Sequence, residues 1–308
     1  MVEQLPESGK IWYNGEFVDW GKATVHVLSH GLHYGSGVFE GIRCYATAKG
    51  SFIFRLREHV DRMYRSAELY NLEIPYSKQE VTEAIIETIR VNGLDACYIR
   101  PIAFYGFHHL GVNPAGCPVN CAIAVWRWGT YLGEDALENG IRCVFSSWRR
   151  IDPNTLPVTA KATGHYLNSM LAVQEAKERG VDEAILLDNT GYVAEGPGEN
   201  IFAVKNSILY TPAVESSILP GITRASVIEL ARDMGYEVLE KPIAKAELLS
   251  ADEVFFTGTA AEVSPIREID DVAIGIGKRG EVTGAIQSKF FDVVNAKEDR
   301  YMKWLERV

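Results

Sequence analysis

Lys161 is the residue whose surroundings most clearly indicate chemistry. It is the only Lys, Arg, Asp or Glu between Pro153 and Gln174. An amine in such an uncharged stretch can be desolvated, which lowers its pKa and suits it to imine formation with an aldehyde cofactor. The alternative from local sequence alone is a lysine that extends from an apolar wall to solvent.

Glu195 is a second candidate, because it precedes a Gly/Pro turn that leads directly into an apolar, strand-like run ending at Val204. A carboxylate on such a rigid junction can hold the nitrogen of a pyridine ring in its protonated form. If this motif stood alone, Glu195 and Glu199 would be interpreted as solvated turn residues.

Two more turns have the composition of phosphate-binding turns. Leu219 to Arg224 opens a predicted helix, whose amides and dipole attract anions, and Thr257 to Ala260 follows a predicted strand with hydroxyls and unhindered amides. Each alone is also typical of an ordinary cap or turn. Their presence with Lys161 and Glu195 in one half of the chain favours the functional interpretation.

These motifs, with others along the chain, resemble the fold-type IV pyridoxal-phosphate enzymes, and among them the branched-chain amino acid aminotransferases. The resemblance extends over nearly the whole chain. Its segments are 12–15, 33–43, 98–101, 111–114, 159–161, 195–202, 219–224 and 258–260. Pro197 replaces the small residue usual in that family, and because proline lacks a backbone donor and fixes φ, we expect a slightly altered turn that still binds the cofactor.

The resemblance implies pyridoxal 5'-phosphate as the cofactor, with Lys161 as its covalent partner and the catalytic proton carrier. It implies that Glu195 pairs with the pyridine nitrogen and that Tyr166 bonds the ring hydroxyl. The other implied cofactor-binding residues are Arg62, Ile222, Thr223 and Thr259, which hold the phosphate, and Gly258.

The resemblance also implies a pocket in which L-leucine, L-isoleucine or L-valine gives its amino group to 2-oxoglutarate by a ping-pong mechanism, a step of branched-chain amino acid biosynthesis. The implied pocket residues are Phe39, Gly41, Tyr98, Arg100, Trp128, Tyr131, Gly198 and Ala260, with Tyr34, Leu110 and Val112 supplied by the partner subunit of a homodimer. The residue types agree, because aromatic and aliphatic groups suit aliphatic substrates and Arg100 offers donors to a second carboxylate. His108 and His109 lie in the partner loop and leave the substrate range open. Assembly of dimers into hexamers is also open.

Alternative functions remain at this point. D-amino acid aminotransferase, aminodeoxychorismate lyase and R-selective amine transaminase share the cofactor, but the segments 98–101 and 111–114 favour the branched-chain group. From another class, a metal-dependent protein would use His26, His30 and His33. Gly31 and Gly35 interrupt the helical spacing that such a site needs, so we expect no metal.

The elements that must position these residues indicate a mixed α/β (α+β) fold. The patterns predict strands over residues 10–18 and 23–27, a helix over 58–70, and a helix over 77–91 that begins with a capping box at Ser77 and Glu80. The resemblance implies a small α/β domain over 1–126, a linker over 127–136 and a larger, pseudo-barrel α/β domain over 137–308, with the cofactor at their interface.

Composition excludes several classes of partner. The chain has 31 basic and 41 acidic side chains and a net charge of −10, which repels nucleic acid and anionic membrane surfaces. No apolar run is long enough to span a membrane, the N-terminus lacks a secretion signal, and the five cysteines have no C-x-x-C spacing. We therefore expect a cytoplasmic enzyme with reduced cysteines and small-molecule substrates.

Overall fold

Packing divides the computed structural model, which describes residues 9–129 and 133–308, into two compact units. Unit 1 contains the described residues up to Trp128, together with Ala160–Gly164 and Val293–Val308. Unit 2 contains the described part of Gly129–Thr159 together with His165–Asp292. The chain therefore passes between the units more than once, which differs from the predicted division, in which 160–164 and the C-terminal residues belong to the large domain.

The described residues form both helices and strands, as the mixed fold class predicts. The strands are β1 Lys10–Tyr13, β2 Glu16–Asp19, β3 Gly37–Phe39, β4 Ile42–Thr47, β5 Gly50–Phe54, β6 Cys97–Tyr105, β7 Val119–Trp126, β8 Ile141–Arg149, β9 Glu183–Leu187, β10 Val193–Glu195, β11 Asn200–Lys205, β12 Ile208–Thr211, β13 Val238–Glu240, β14 Glu253–Gly258, β15 Glu262–Ile269, β16 Val272–Ala273 and β17 Leu305–Arg307. The α-helices are α1 His30–Tyr34, α2 Leu56–Glu68, α3 Lys78–Val91, α4 Glu134–Asn139, α5 Tyr166–Glu178, α6 Ile222–Asp233, α7 Lys245–Leu249 and α8 Glu281–Val294. Helix α4 begins inside the predicted linker 127–136.

Unit 1 is built on a sheet with the strand order β17-β5-β4-β6-β7-β1-β2, to which β3 adds by pairing with β6. The predicted strand 10–18 is a hairpin instead, because Asn14 and Gly15 both have positive φ and reverse the chain between β1 and β2. The predicted strand over 23–27 does not form. Strand β17 pairs with β5, which explains why the C-terminus belongs to this unit.

Helices α2 and α3 cover the core of unit 1. The predicted capping box is confirmed: Glu80 N–H donates to Ser77 Oγ at 3.2 Å, and Ser77 N–H donates to the Glu80 carboxylate at 2.6 Å. In α2, the apolar side chains of Val60, Met63 and Ala67 enter the core. Three polar side chains of the same helix, His59, Arg62 and Ser66, are also buried, which an amphipathic surface helix alone would not require.

Unit 2 is built on a second sheet with the strand order β10-β9-β8-β15-β14-β11-β12-β13. Strand β8 runs parallel to both β9 and β15, and helix α5 packs on β8 and β9. Strands β11, β14 and β15 form an antiparallel set. The carboxyl end of β10 and the amino end of β11 flank the turn 196–199, so the sheet fixes both ends of that turn.

The cysteines and the helices bear on the expectations of reduced thiols and of no membrane span. All five cysteines are free thiols and buried. Among the described residues, no helix has the length and apolar character needed to cross a membrane.

Glu183, on β9, is a buried acid with no part in the sequence motifs. It is 2% exposed, and one carboxylate oxygen accepts the Ala184 N–H at 3.0 Å. Burial raises the pKa of Glu183 to about 7, although the Ala184 amide and the Lys177 charge oppose the change. The folded state therefore holds this proton more tightly than the unfolded chain does.

A pH-dependent loss of stability follows from this shift. Below the ordinary pKa of about 4.5, Glu183 is protonated in both states, and its stabilising contribution is lost as the pH rises through about 7. Glu183→Gln mimics the neutral form. As the pH rises from about 4.5 to about 7, we therefore expect the free energy of unfolding of the variant to increase relative to that of the unmodified protein, by up to about 3 kcal/mol. Thermal midpoints measured across the interval test this, with Glu178→Gln, an exposed acid on α5, as the control. A difference between variant and parent that is constant with pH would contradict the assignment.

Candidate active site

Lys161 is held by its backbone on both sides. Its N–H donates to the Ser66 hydroxyl at 3.0 Å, and its carbonyl accepts the Phe39 N–H at 3.1 Å. The neighbouring residue, Ala162, forms an antiparallel bridge with Val38. The Lys161 Nζ lies 5.0 Å from the centre of the Phe39 ring. The lysine is thus fixed at its Cα, while its amine lies at an aromatic face.

The helix that holds Lys161 also carries a buried charged cluster. Arg62, one turn before Ser66 in α2, donates from Nε to Glu40 Oε1 at 2.7 Å and from Nη2 to Glu40 Oε2 at 2.8 Å. His59 Nδ1 lies 2.7 Å from the same Oε2. Glu40, which lies between β3 and β4, is completely buried. One carboxylate therefore accepts hydrogen bonds from two side chains of α2.

The electrostatics of this cluster favour a charged pair and a neutral imidazole. Burial alone would raise the pKa of Glu40, but the charge and hydrogen bonds of Arg62, with those of His59, hold this pKa well below its usual range. Burial lowers the pKa of His59 despite the adjacent Glu40 carboxylate. We therefore assign a neutral His59 that donates its Nδ1 proton to Glu40.

Arg100 lies in an aromatic cluster of unit 1. Its guanidinium carbon is 5.0 Å from the ring centre of Phe39, 5.2 Å from that of Tyr98 and 5.9 Å from that of Trp126. Nη2 donates to the Tyr98 hydroxyl at 3.2 Å, whereas the buried Nε has no hydrogen-bond partner among the described residues. Trp128 packs on Tyr98, with ring centres 4.3 Å apart. A half-buried, incompletely paired cation beside aromatic rings is suited to a carboxylate ligand.

Gly41 must be glycine for this arrangement. A Cβ on Gly41 would collide with the Tyr98 hydroxyl, which accepts the hydrogen bond from Arg100. The absence of a side chain at Gly41 therefore lets the tyrosine lie directly against the backbone.

The three histidines of the metal hypothesis have other partners. His26 stacks on Phe107 with ring centres 4.1 Å apart, His30 is hydrogen-bonded to the Ser36 hydroxyl at 2.6 Å and to the Gly111 carbonyl at 2.9 Å, and His33 bonds the Val27 carbonyl at 2.9 Å. Within the described ranges, no group of three or more His, Cys, Asp or Glu is arranged to hold a metal. Nothing in the structure favours that alternative.

Glu195, at the end of β10, is held by donors from three other segments of unit 2. Arg150 Nε donates to its Oε1 at 2.6 Å, and Asn200 Nδ2 and the Leu219 N–H each donate to its Oε2 at 3.0 Å. Both side chains of the Arg150–Glu195 pair are almost fully buried. Because Arg150 follows β8, Asn200 begins β11 and Leu219 precedes α6, this carboxylate connects several elements of the unit.

The turn that contains Pro197 closes without needing a donor from that residue. The Gly196 N–H donates to the Glu199 carbonyl at 2.7 Å, and the Gly198 N–H donates to the Glu199 carboxylate at 3.0 Å. Neither hydrogen bond involves the backbone nitrogen of Pro197. The structure thus accommodates the departure from the family pattern.

Two segments of unit 2 correspond to the predicted phosphate turns. Helix α6 begins at Ile222 with Gly221 as its N-cap and no side-chain cap, so its first-turn amides are not capped from within. A Cβ at Gly221 would collide with the Asn200 amide oxygen. At the end of β14, the buried Thr257 hydroxyl has no hydrogen-bond partner in the described part of the chain. Both features are compatible with an anion, and phosphate binding by the two turns stays a prediction.

The structure distributes the candidate residues over both units. Unit 1 carries Phe39, Gly41, Arg62, Tyr98, Arg100, Trp128 and Lys161, with Tyr34, Leu110 and Val112 exposed. Unit 2 carries Tyr166 at the start of α5, Glu195, Gly198, Ile222, Thr223, Gly258, Thr259 and Ala260. Tyr131 lies outside the described residues.

Sequence reasoning missed the residues that hold these groups in place, namely Glu40, His59, Ser66, Trp126, Arg150 and Asn200. For the α2 residues a signal was present: His59, Arg62 and Ser66 follow each other at helical spacing next to the apolar positions of the helix. Arg150 lies 45 residues from Glu195, and no local pattern connects the two.

Comparison with known proteins gives consistent matches over nearly the entire chain. A family model described as amino-transferase class IV matches residues 37–269. The branched-chain-amino-acid aminotransferase of Pseudomonas aeruginosa is 50% identical over 98% of each chain.

Solved structures give the same result. The crystal structure of the Escherichia coli branched-chain amino acid aminotransferase matches with a TM-score of 0.95 and 48% identity, covering 97% of this chain and 99% of that one. A T.th. branched-chain amino acid aminotransferase complexed with N-(5'-phosphopyridoxyl)-L-glutamate matches with a TM-score of 0.94 and 47% identity, covering 99% of both chains.

Proposed function

Because the chain belongs to the class IV aminotransferase family, we propose that it is a branched-chain amino acid aminotransferase that uses pyridoxal 5'-phosphate. It transfers the amino group of L-leucine, L-isoleucine or L-valine to 2-oxoglutarate, giving a branched 2-oxo acid and L-glutamate. The observation that carries the proposal is the fixed position of Lys161, whose N–H is held by Ser66 one helical turn from Arg62. Nothing in the comparisons favours the D-amino acid, R-amine or lyase alternatives.

The donor set fits this cofactor. Its aldehyde requires an amine, its phosphate requires cations and backbone amides, and its pyridine nitrogen requires a carboxylate. Lys161, Arg62 and Glu195 would meet these needs. Tyr166 would bond the ring hydroxyl, and the remaining donors to the phosphate and its surroundings would be Ile222, Thr223, Gly258 and Thr259. The uncapped start of α6 and the Thr257 hydroxyl are observations independent of the resemblance that support an anion here.

Side chains of the protein would control the proton on the substrate α-carbon and the charge on the cofactor's pyridine ring. When bound, the cofactor supplies an electron sink for the substrate α-carbon. The Lys161 Nζ would take the proton from that α-carbon as general base and later return it as general acid. The carboxylate of Glu195 would keep the pyridine nitrogen protonated, and Arg150, Asn200 and the Leu219 amide fix the orientation of this carboxylate.

Substrate recognition requires one pocket to take both an aliphatic and an acidic side chain. Phe39, Gly41, Tyr98, Trp128, Tyr131, Gly198 and Ala260 would form the walls for the aliphatic groups. Arg100 would bind the side-chain carboxylate of glutamate or 2-oxoglutarate, since its buried Nε lacks an acceptor in the described structure and its Nη2 is oriented by Tyr98.

A homodimer is proposed from an exposed apolar surface around α1, here called the α1 patch. Its members are Val25, Val27, Leu32, Tyr34, Phe107, Leu110 and Val112, of which Val112 is 82% exposed. The stack of His26 on Phe107 and the hydrogen bond of His30 to Gly111 join the two segments into one surface. A contiguous apolar patch of this kind suits a self-complementary dimer contact, in which Tyr34, Leu110 and Val112 complete the partner's pocket. A cytoplasmic location accords with the five free cysteines.

The first test of the function concerns Lys161. Borohydride reduction of the purified protein should attach the mass of the cofactor to the peptide that contains Lys161. In Lys161→Ala, we expect loss of this attachment and of nearly all transamination, because the amine that forms the imine and moves the proton is removed. The control is Lys177→Ala, which removes an exposed lysine of α5. Normal turnover by Lys161→Ala would refute the assignment.

The second test separates the two substrates. Arg100→Ala should reduce kcat/KM for glutamate by about 100-fold or more, because a charge-assisted contact is lost, and should change that for leucine much less. The half-reactions are measured separately, with Arg127→Ala, an exposed arginine after β7, as the control. Equal losses on both substrates would mean that Arg100 binds the shared α-carboxylate or supports the fold.

The third test addresses the dimer. Leu32→Asp places a charge in the α1 patch at a residue that is not itself assigned to the pocket, and we expect monomers with low activity, since the partner's residues are withdrawn. Sedimentation velocity and a leucine assay on the same sample measure both effects. Ile276→Asp is the matched control, because Ile276 is 69% exposed and Leu32 62%. A fully active monomer would contradict the shared pocket.

A further inference from the structure

Glu40 is a buried carboxylate to which the mechanism above gives no role. It binds Arg62 through two parallel hydrogen bonds of 2.7 and 2.8 Å and accepts a third, of 2.7 Å, from His59. Its side chain is 0% exposed. Burial of a carboxylate is costly and is usual only where its partners are fixed, so this group has a specific place in the site.

We propose that Glu40, oriented by His59, is a positioning residue that sets the direction in which Arg62 meets the cofactor phosphate. The inference rests on the proposed function, because it takes Arg62 as a phosphate ligand. The Nε and Nη2 edge of the guanidinium is turned toward Glu40. A phosphate must then approach a different edge of the guanidinium, and Glu40 fixes where that edge faces.

The backbone around Glu40 makes it a rigid support. Its N–H donates to the Pro101 carbonyl at 2.9 Å, and the preceding residue, Phe39, donates to the Lys161 carbonyl. Gly41 follows and lies against Tyr98. Residues 39 and 40 therefore contact both groups: the Phe39 backbone holds the Lys161 backbone, and the Glu40 side chain holds Arg62. The same short segment sets the positions of Arg62 and Lys161.

Two physical arguments give opposite signs for the loss of the Glu40 charge. Coulomb attraction alone predicts that Glu40→Gln binds phosphate more tightly, because Arg62 would no longer be neutralised by a nearby carboxylate. Positioning predicts weaker binding. A carboxylate accepts from Arg62 Nε, Arg62 Nη2 and His59 at once, whereas an amide can accept only at its oxygen and presents N–H groups to these donors.

Positioning should prevail because Arg62 is nine-tenths buried or more and has a long, flexible side chain. Without its two parallel hydrogen bonds to Glu40, the Arg62 guanidinium is no longer held in one orientation. The added net positive charge then does not face the phosphate consistently. The sign of the change in phosphate affinity therefore decides between the two arguments.

The experiment compares pyridoxal 5'-phosphate with pyridoxal, which lacks the phosphate. The full-length protein is stripped of cofactor and reconstituted with each compound, and the ratio of the two affinities reports the phosphate contribution alone. We expect Glu40→Gln to reduce this ratio by about tenfold or more, as for a misaligned charge-assisted contact. We also expect the ³¹P resonance of the bound phosphate to move. Glu68→Gln, an exposed acid on the same helix as Arg62, should change neither.

Two outcomes would overturn the inference: an increased ratio, or an unchanged ratio, which includes equal weakening of both compounds and indicates a merely structural role. If Glu40→Gln does not fold, His59→Leu provides the test, because it leaves both charges and removes the imidazole donor without supplying another donor. A severalfold smaller ratio supports positioning, and an unchanged ratio refutes it. If the unmodified protein takes up no pyridoxal 5'-phosphate, the proposed function itself fails, which is distinguishable from failure at Glu40 alone.

Discussion

Burying a charged group is costly unless an opposite charge or hydrogen-bond partners are buried with it, and this constraint shapes how the site is built. Arg62 enters the interior of unit 1 paired with Glu40, and Glu195 enters that of unit 2 paired with Arg150. In each case the two partners belong to different elements, so the pair also fixes one element against another. The ion pairs, together with apolar packing, therefore fix the positions of the elements that carry the candidate functional side chains.

These pairs contribute little net stability, because the desolvation of two ions offsets much of their attraction. The stability of each unit comes instead from its apolar core, which includes Val60, Met63 and Ile85 in unit 1 and Ile201, Val254 and Phe256 in unit 2. A hydrophobic replacement of either ion pair could preserve the fold. It could not present a guanidinium or a carboxylate in a fixed direction, and this requirement explains why charges occupy positions where apolar residues would pack.

Local sequence patterns indicated candidate reactive residues but not the residues that support them, for a physical reason. Lys161 was conspicuous because its neighbours along the chain are uncharged, and the start of α3 was evident because a capping box is a local pattern. Arg150 contacts Glu195 only because strands that are distant in sequence pair in the fold. The hydrophobic periodicity of the local sequence does not indicate such a contact. The error at residues 23–27 has the same origin, since alternation indicates a strand but cannot show that a neighbouring strand is available.

Arg62 and Lys161 of unit 1 have different supports, and the difference suits the roles proposed for them. Arg62 is fixed at its guanidinium by Glu40, which suits a group that must keep one direction toward an anion. Lys161 is fixed at its backbone by Ser66 and Phe39, and its Nζ lies at a ring face, a contact with little directional preference. A flexible four-carbon stem separates the anchored Cα from the amine, so the Nζ can move while the chain stays in place. The role proposed for Lys161, which is to bind a carbonyl and then carry a proton, needs that freedom, whereas the role proposed for Arg62 as a phosphate ligand needs a fixed direction.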